Sequence, residues 1–216
     1  MTREALFNLF RFMCEASFIT IKIFVLTLIL GLPLGLLVSF GRMSKLLIIN
    51  VPIKLYLLIM RGTPLILQLF FFFYFPFYIF GSTLPRFWAA ILAMSVNYAA
   101  YFAEIYRAGI ESMPRGQYEA AKVLGFTNKQ TFFKIILPQV VKRIMPPMGN
   151  EFMTLVKDTA LVSVIGVSEI YDLATDTMSK ASSLLPLIMA GAFYLIMNSV
   201  VSKACTMAES KMNYYR

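Results

Sequence analysis

The chain has 216 residues, of which 59% are hydrophobic and only 14% charged, and its mean hydropathy is +0.72. An average soluble domain is about a quarter charged, so this composition excludes an ordinary cytosolic domain, a disordered chain and a nucleic-acid-binding domain. The net charge of +9 indicates basic cytoplasmic loops of a membrane protein. Histidine is absent, which excludes histidine-based catalysis, and the two cysteines, Cys14 and Cys205, form no CxxC motif.

The apolar segments predict the number of membrane spans. A membrane helix needs roughly 20 mostly apolar residues, and five segments come close: 17–40, 55–80, 86–106, 148–168 and 184–205. The first is too long for a signal peptide and lacks a cleavage site. Residues 4–15 before it look amphipathic, which suits a helix in the membrane interface. We therefore expect an all-α, polytopic membrane protein with five transmembrane helices in a single domain, 1–216.

The charges of the connecting segments predict the orientation of these helices. Loop 41–54, loop 107–147 and the C-terminal tail from Lys203 onward hold thirteen of the twenty basic residues, and basic loops stay in the cytoplasm. Loop 169–183 carries three acids and one lysine, which suits the outside. Five spans then place the N-terminus outside and the C-terminus in the cytoplasm. Arg3, Arg11 and Lys22 fit this orientation less well.

The most informative loop segment is 114–147, which is too polar for a span and too regular for a linker. Residues 117–124 predict a short helix that stops at Gly125, because glycine tolerates the left-handed conformation at a helix end. Thr127 and Gln130 have the spacing of a capping box. A second helix should follow and end at about Leu137, before Pro138.

Two short helices joined by a tight turn form a protruding hairpin. Ala120 and Ala121 should give it a smooth face and Glu119 a charge, which suits a groove on a cytoplasmic partner. The alternative is an interfacial helical hairpin without a partner. The chain has no Gly-Lys dipeptide, so it cannot contain a Walker A phosphate loop, and any motion driven by ATP must come from a partner.

Several motifs in this order resemble the permease subunits of bacterial ABC importers, in the polar amino acid branch. The hairpin resembles the EAA coupling loop of that family, over 114–138, through Glu119, Ala120, Ala121, Gly125 and Pro138. The resemblance extends over nearly the whole chain. The other matching motifs are Arg61-Gly62-Thr63-Pro64, Gln68-Leu69-Phe70-Phe71, the run from Tyr101 to Ile110, Gly149-Asn150-Glu151-Phe152 and the run from Lys157 to Gly166.

The resemblance implies a type I importer permease with five core helices in the bacterial cytoplasmic membrane. It also implies a dimer of permease subunits, identical or related, two ATPase subunits and an extracellular or periplasmic amino acid-binding protein. ATP and Mg²⁺ would be bound by the ATPase partner, so we expect neither a cofactor nor enzyme activity in this chain. The coupling loop would dock on the ATPase.

Ionisable groups at membrane depth are costly and usually mark a pathway or a pair. Glu151 and Asp158 are seven residues apart and lie on one helix face with Thr154 between them. Asn97, Tyr101 and Glu104 repeat this spacing on the third predicted span, and the second carries Arg61 and Gln68. Each of three helices thus offers one polar stripe, which should face the interior of a dimer.

These stripes suit an amino acid, whose ammonium and carboxylate both need partners once dehydrated. Glu151 or Asp158 could hold the ammonium, and Arg61 or backbone amides the carboxylate. Purely structural roles for these residues remain open as alternatives. Glu104 can pair with Arg107, Lys157 and Asp158 can be structural charges, and Arg61 can reach the inner interface or mark a helix break.

The predicted function is the transmembrane subunit of an ATP-driven importer of a polar amino acid, working by alternating access. An ion- or proton-coupled secondary transporter without an ATPase is the alternative, because charged stripes alone would fit it. An intramembrane enzyme lacks a catalytic signature. The aromatic run from Phe70 to Phe75 is expected to be packing or lipid-facing bulk rather than a substrate-stacking surface.

Overall fold

The structure, a computed structural model, describes residues 3–212 apart from the side chain of residue 5, and this part of the chain is helical without a β-strand. The helices are α1 (Arg3–Arg42), α2 (Leu47–Gly62), α3 (Leu65–Phe80), α4 (Arg86–Glu111), α5 (Arg115–Val123), α6 (Asn128–Gln130), α7 (Leu137–Asp158), α8 (Ile170–Ala181) and α9 (Leu185–Lys211). A π-helical segment, Thr131–Ile136, joins α6 to α7, and a 3-10 helix, Thr159–Ile165, continues α7.

The core of the fold is α4, in which 13 of the 26 residues are buried. The small residues of α4 allow the backbone of α1 to pack directly against the backbone of α4. A Cβ added at Gly35 would lie 2.8 Å from the Cβ of Phe102 and 3.0 Å from the carbonyl oxygen of Ala99. Gly31 packs on the same helix, against Phe102 and the carbonyl of Ser95. Small residues four apart are a common device for close helix packing in membranes.

The apolar character of the helices agrees with a membrane protein. Two helical stretches of residues 3–212 are long and apolar enough to cross a membrane, Leu6–Arg42 and Leu185–Lys211, and the bent pair of α2 and α3 adds a third if it is one span. Residues 4–15 belong to the uninterrupted helix α1. At 1.5 Å per residue α1 is about 60 Å long, so it exceeds a hydrocarbon core of roughly 30 Å.

The prediction of a single helix over 55–80 is wrong. The chain bends by 113° between α2 and α3. Pro64 disfavours a helical conformation at the preceding residue, and Thr63 is extended, with φ −120° and ψ 149°. The expected alternative for this motif, a helix break, is confirmed.

Two predicted loops are largely helical. Loop 41–54 shrinks to a short connection, because α2 already begins at Leu47. Loop 169–183 contains α8, whose N-cap is Glu169. Both segments are mixed in polarity, so a search for long apolar runs does not detect their helices.

The predicted span 148–168 is also not one α-helix. Its first part is the second half of α7, which ends at Asp158. The 3-10 helix then tightens the chain up to Gly166, which ends it in the left-handed conformation with φ 74°. Glycine reaches this conformation without the steric cost that other residues bear.

The hairpin of 114–138 begins as predicted. Helix α5 ends in a Schellman motif: the amide of Phe126 donates to the carbonyl of Ala121, and that of Gly125 to Lys122, both at 3.0 Å. Gly125 has φ 79°. The capping box of Thr127 and Gln130 is present.

The prediction that the second helix ends before Pro138 is wrong, because it continues into α7. Proline in a helix lacks a donor and crowds the carbonyl one turn earlier. The preceding turn is widened into the π-helical segment, in which the amide of Leu137 donates to the carbonyl of Phe132. This wider turn lets the helix pass through Pro138.

The close approach of α1 and α4 predicts a matched pair of glycine variants. Gly35→Ala should lower the free energy of unfolding by about 1–3 kcal/mol, because its Cβ would overlap α4. Gly191→Ala on α9 meets nothing within 4 Å and should be neutral or slightly stabilising. Thermal unfolding of the purified protein in detergent measures both; equal stability of the two variants would contradict this packing.

Candidate functional site

A cavity of about 580 Å³ lies between α4 and α7 beside the end of α2. Arg61, Tyr101, Glu104 and Glu151 all line it, so the structure brings together one or two residues from each predicted stripe. The guanidinium carbon of Arg61 lies 5.6 Å from the centre of the Tyr101 ring, within the range of a cation–π contact. The cavity thus combines a cation, a carboxylate and an aromatic face.

Glu104 lies among three arginines at one end of this cavity. Arg107 donates to its Oε2 at 2.7 Å, while Arg42 and Arg61 approach to 3.7 and 3.8 Å. The Glu104 side chain is 17% exposed. The pairing with Arg107 is therefore confirmed, and the same carboxylate also holds the ends of α1 and α2 beside α4.

Arg61 pairs more weakly with Glu104 than Arg107 does. Its side chain is 45% exposed, and its nearest approach to Glu104 is 3.8 Å, beyond the usual length of a hydrogen bond. A guanidinium carries five donors in a planar fork. Arg61 can therefore bind a further carboxylate at the cavity.

Gln68 and Asn97 stabilise the break between α2 and α3. The Gln68 amide donates to the carbonyl of Met60 at 3.0 Å and to the hydroxyl of Thr63 at 2.9 Å. Asn97 donates to the same Met60 carbonyl at 3.0 Å and to Gln68 Oε1 at 2.8 Å. Both side chains are buried. They satisfy backbone groups that the break leaves without helical partners.

Asp158 and Thr154 lie further along α7 than Glu151. The hydroxyl of Tyr98 donates to Asp158 Oδ2 at 2.7 Å, and Thr154 donates to the carbonyl of Asn150 at 3.0 Å. Asp158 is about 10 Å along the helix from Glu151. The carboxylate stripe therefore continues from the cavity toward the 3-10 helix, with Tyr98 as its neighbour.

Glu169 is a buried acid, although the charges of segment 169–183 predict an external loop there. Its Oε1 accepts the amides of Tyr171 and Asp172 at 2.8 and 3.0 Å. Its Oε2 accepts the hydroxyls of Tyr194 at 2.5 Å and Thr20 at 3.4 Å. Burial raises the pKa of this carboxyl above its usual range, against the opposing effect of these hydrogen bonds. The acid just before a helix was the available signal, because a capping side chain accepts the first helical amides.

The hairpin presents a different surface from the one expected. Glu119 and Ala120 are exposed, but Ala121 is 1% exposed and packs inside the hairpin. The exposed apolar tip consists of Val123 and Leu124, which are 88% and 73% exposed. The apolar pair directly before Gly125 was the signal for this tip, since it lies at the turn.

The chain matches known proteins over nearly its whole length. Residues 31–214 match the family model described as binding-protein-dependent transport system inner membrane component. The chain is 38% identical, over 91% of its length and 84% of the relative's, to the L-cystine transport system permease protein TcyB of Bacillus subtilis. It is 36% identical to the arginine transport system permease protein ArtQ of the same organism, over 93% and 92% of the two chains.

Solved structures agree with these sequence matches. The structure of an amino acid ABC transporter with histidines is 32% identical, with a TM-score of 0.88, and covers 98% of this chain and 99% of that one. The inward-facing MetNI methionine ABC transporter has a TM-score of 0.73 over the same shares at 20% identity. The second likeness shows the shared fold alone.

The shared hydrogen bonds of Gln68 and Asn97 at the break between α2 and α3 predict that the stability effects of substituting these two residues are coupled. Gln68→Leu and Asn97→Leu should each destabilise the protein by about 1–3 kcal/mol, because each leaves buried backbone or amide groups unpaired. The double variant should cost less than the sum of the two, since they share one network. Thermal unfolding of the wild type, the two single variants and the double variant measures this coupling. Strictly additive losses of stability would show that the two side chains do not share one hydrogen-bond network.

Proposed function

Since the chain belongs to the family of binding-protein-dependent transport system inner membrane components, we propose that it imports a polar amino acid by alternating access. The family consists of the permease subunits of ABC importers, in which a separate subunit hydrolyses ATP. The substrate class rests on relatives that carry L-cystine and arginine, together with the charges of the cavity.

A continuous helical connection between the hairpin and the cavity is the observation that supports this mechanism best. From Asn128 the chain is helical through the π-helical segment and α7 to Asp158. Glu151 lies on this connection and lines the cavity. A movement of the hairpin therefore displaces a wall of the cavity, without any need for a flexible linker.

In this proposal the five spans are α1, the pair α2 and α3, α4, α7 with its 3-10 extension, and α9. Helix α4 is about 39 Å long, sufficient for a bilayer. The Arg42, Glu104 and Arg107 cluster lies at the end of α4 that leads to the basic hairpin. This end faces the cytoplasm by the positive-inside rule, which places the N-terminus outside and the C-terminus inside the bacterial cytoplasmic membrane.

The partners in this proposal are a second permease subunit, two ATPases and an external binding protein. The binding protein delivers the amino acid to the outer face. ATP, bound with Mg²⁺ in the ATPases, brings the two hairpins together, and the permease pair then opens outward. Hydrolysis returns the pair to the inward-facing state. The energy enters as the different affinity of ATP for the two states.

The cavity matches the two charged groups of an amino acid. Glu151 is the partner for the ammonium, and Arg61 for the carboxylate, which it can bind with two parallel hydrogen bonds. Asp158 extends the acidic stripe by about 10 Å, enough to meet a cationic side chain. Gln68 and Asn97 shape this site by fixing the helix break beside Arg61.

The family membership supports an ABC subunit and does not favour the secondary transporter. The two mechanisms differ in a simple measurement. Uptake into vesicles that contain this chain without any ATPase would demonstrate the secondary transporter and end the present proposal.

The hairpin tip gives the first test. Val123→Asp places a charge on a side chain that is 88% exposed, so the fold should be unaffected, while an apolar contact with the ATPase is lost. Co-purification of the ATPase should fall at least tenfold, the size expected for burying an unpaired charge. Glu119→Lys should act in the same direction.

The matched control for the tip is Lys129→Ala, an exposed change on the opposite side of the turn. It should keep the ATPase bound. Undiminished co-purification with Val123→Asp would refute docking through this tip, whatever the transport activity.

The cavity gives the second test. Glu151→Gln keeps the shape of the side chain and removes its charge. Substrate-stimulated ATP hydrolysis and uptake should fall by about tenfold or more, because a charge-assisted hydrogen bond contributes roughly 1.5–3 kcal/mol. A panel of amino acids should be assayed with the assembled complex.

The matched control for this carboxylate is Glu15→Gln, an exposed acid of α1 that pairs only locally with Arg11. It should leave stimulation intact. If Glu151→Gln leaves the response to every amino acid unchanged, the proposed substrate contact is wrong.

A further inference from the structure

Another cavity, of about 430 Å³, lies far from the predicted substrate site and is lined by two cations and several apolar residues. Its walls come from α1, the first turn of α4 and the turn after the 3-10 helix. Lys22 and Arg86 supply two cations to this cavity, and Ser168 lies beside them. Its apolar lining consists of Ile19, Phe87 and Val167.

Neither cation is neutralised within the part of the chain that the structure describes. No carboxylate of these residues forms an ion pair with Lys22 or Arg86. Among residues 3–212, the one polar contact of Arg86 is a long hydrogen bond, 3.5 Å, from Nη1 to the carbonyl oxygen of Gly166. Two unpaired cations that share one cavity create a site for an anion.

The depth of the cavity follows from the two helices that carry the cations. Lys22 lies 20 residues before Arg42 on α1, and Arg86 lies 18 residues before Glu104 on α4. At 1.5 Å per residue these intervals are roughly 30 and 27 Å. Arg42 and Glu104 approach each other to 3.7 Å. Both cations are therefore about one hydrocarbon thickness away from the cytoplasmic cluster.

The surroundings favour a lipid over a soluble protein as the source of the anion. Below Lys22 on the same face of α1, Val25 and Ile29 are 41% and 58% exposed, and an apolar surface at this depth faces acyl chains. Trp88, the only tryptophan of the chain, lies two residues after Arg86 and is 56% exposed. Tryptophan is enriched at the level of the lipid headgroups.

We propose that Lys22 and Arg86 bind the phosphodiester group of an anionic phospholipid in the outer leaflet. The proposal rests on the membrane placement in the proposed function. It also gives Lys22 a reason to lie on the outer side, where it fits the positive-inside rule poorly. The two cations neutralise the phosphate, and the acyl chains follow Val25 and Ile29.

The test is native mass spectrometry of the full-length chain, with the subunits that co-purify, in an equal mixture of phosphatidylglycerol and phosphatidylcholine. The wild type should retain phosphatidylglycerol in excess. Lys22→Gln with Arg86→Gln should reduce this excess at least fivefold, since one cation near a membrane surface contributes about a fivefold preference. The charge-conserving pair Lys22→Arg with Arg86→Lys should retain it.

The matched control is Lys129→Gln with Lys134→Gln, which removes the same charge from the hairpin. An equal loss of phosphatidylglycerol in this control, or no loss in the double variant, would overturn the proposal. If the double variant does not fold, Lys22→Gln alone serves the same comparison.

A protein anion at this cavity would give a different result. In nanodiscs of phosphatidylcholine alone, the double variant should respond to the binding protein as the wild type does. A lost response there, with phosphatidylglycerol retention unchanged, would assign the cations to protein carboxylates and overturn the lipid site. Because lipid retention needs neither ATP nor transport, its failure is distinguishable from failure of the proposed function.

Discussion

The backbone contact between α1 and α4 is the constraint on which both ends of the molecule depend. Gly35 brings α1 to within van der Waals distance of the backbone at Ala99 and Ala103, with no room for a Cβ. At this separation the register of the two helices is fixed, because side chains interlock on both sides of the contact. One register then places Arg42 beside Glu104 at one end and Lys22 beside Arg86 at the other.

The interior charges are placed by backbone geometry rather than by helix periodicity alone. The break at Thr63–Pro64 ends α2 beside α4, and Arg61 in the last turn of α2 lies next to Tyr101 and Glu104. Such a break exposes carbonyl groups that no water satisfies inside a bilayer, so it needs polar side chains as partners. Gln68 and Asn97 provide them. The polar stripes thus have two roles, because some residues face the cavity and others maintain the bend beside it.

The sequence predicts those features that depend on local pattern. Gly125, the capping box of Thr127 and Gln130, and the two long apolar helices that contain 17–40 and 184–205 are predicted correctly, because neighbouring residues determine each of them. The network of Glu169 was missed, because its partners Thr20 and Tyr194 are distant in the chain. The bridging role of Glu104 was found only in part, since i, i+3 spacing indicates Arg107 but not Arg42 or Arg61. Tertiary contacts between polar residues leave no periodic signal.

At Pro138, the rule that a proline ends a helix predicts the wrong structure, but the proline still marks the position of an irregular turn. A proline normally ends a helix because its ring crowds the carbonyl one turn earlier. Here the preceding turn is widened into a π-helical turn, and the helix continues. The widened turn joins the tip of the hairpin to the long stretch of α7 that carries Glu151. A displacement of the hairpin tip can therefore reach the cavity through this turn and α7, because the chain is helical from Asn128 to Asp158.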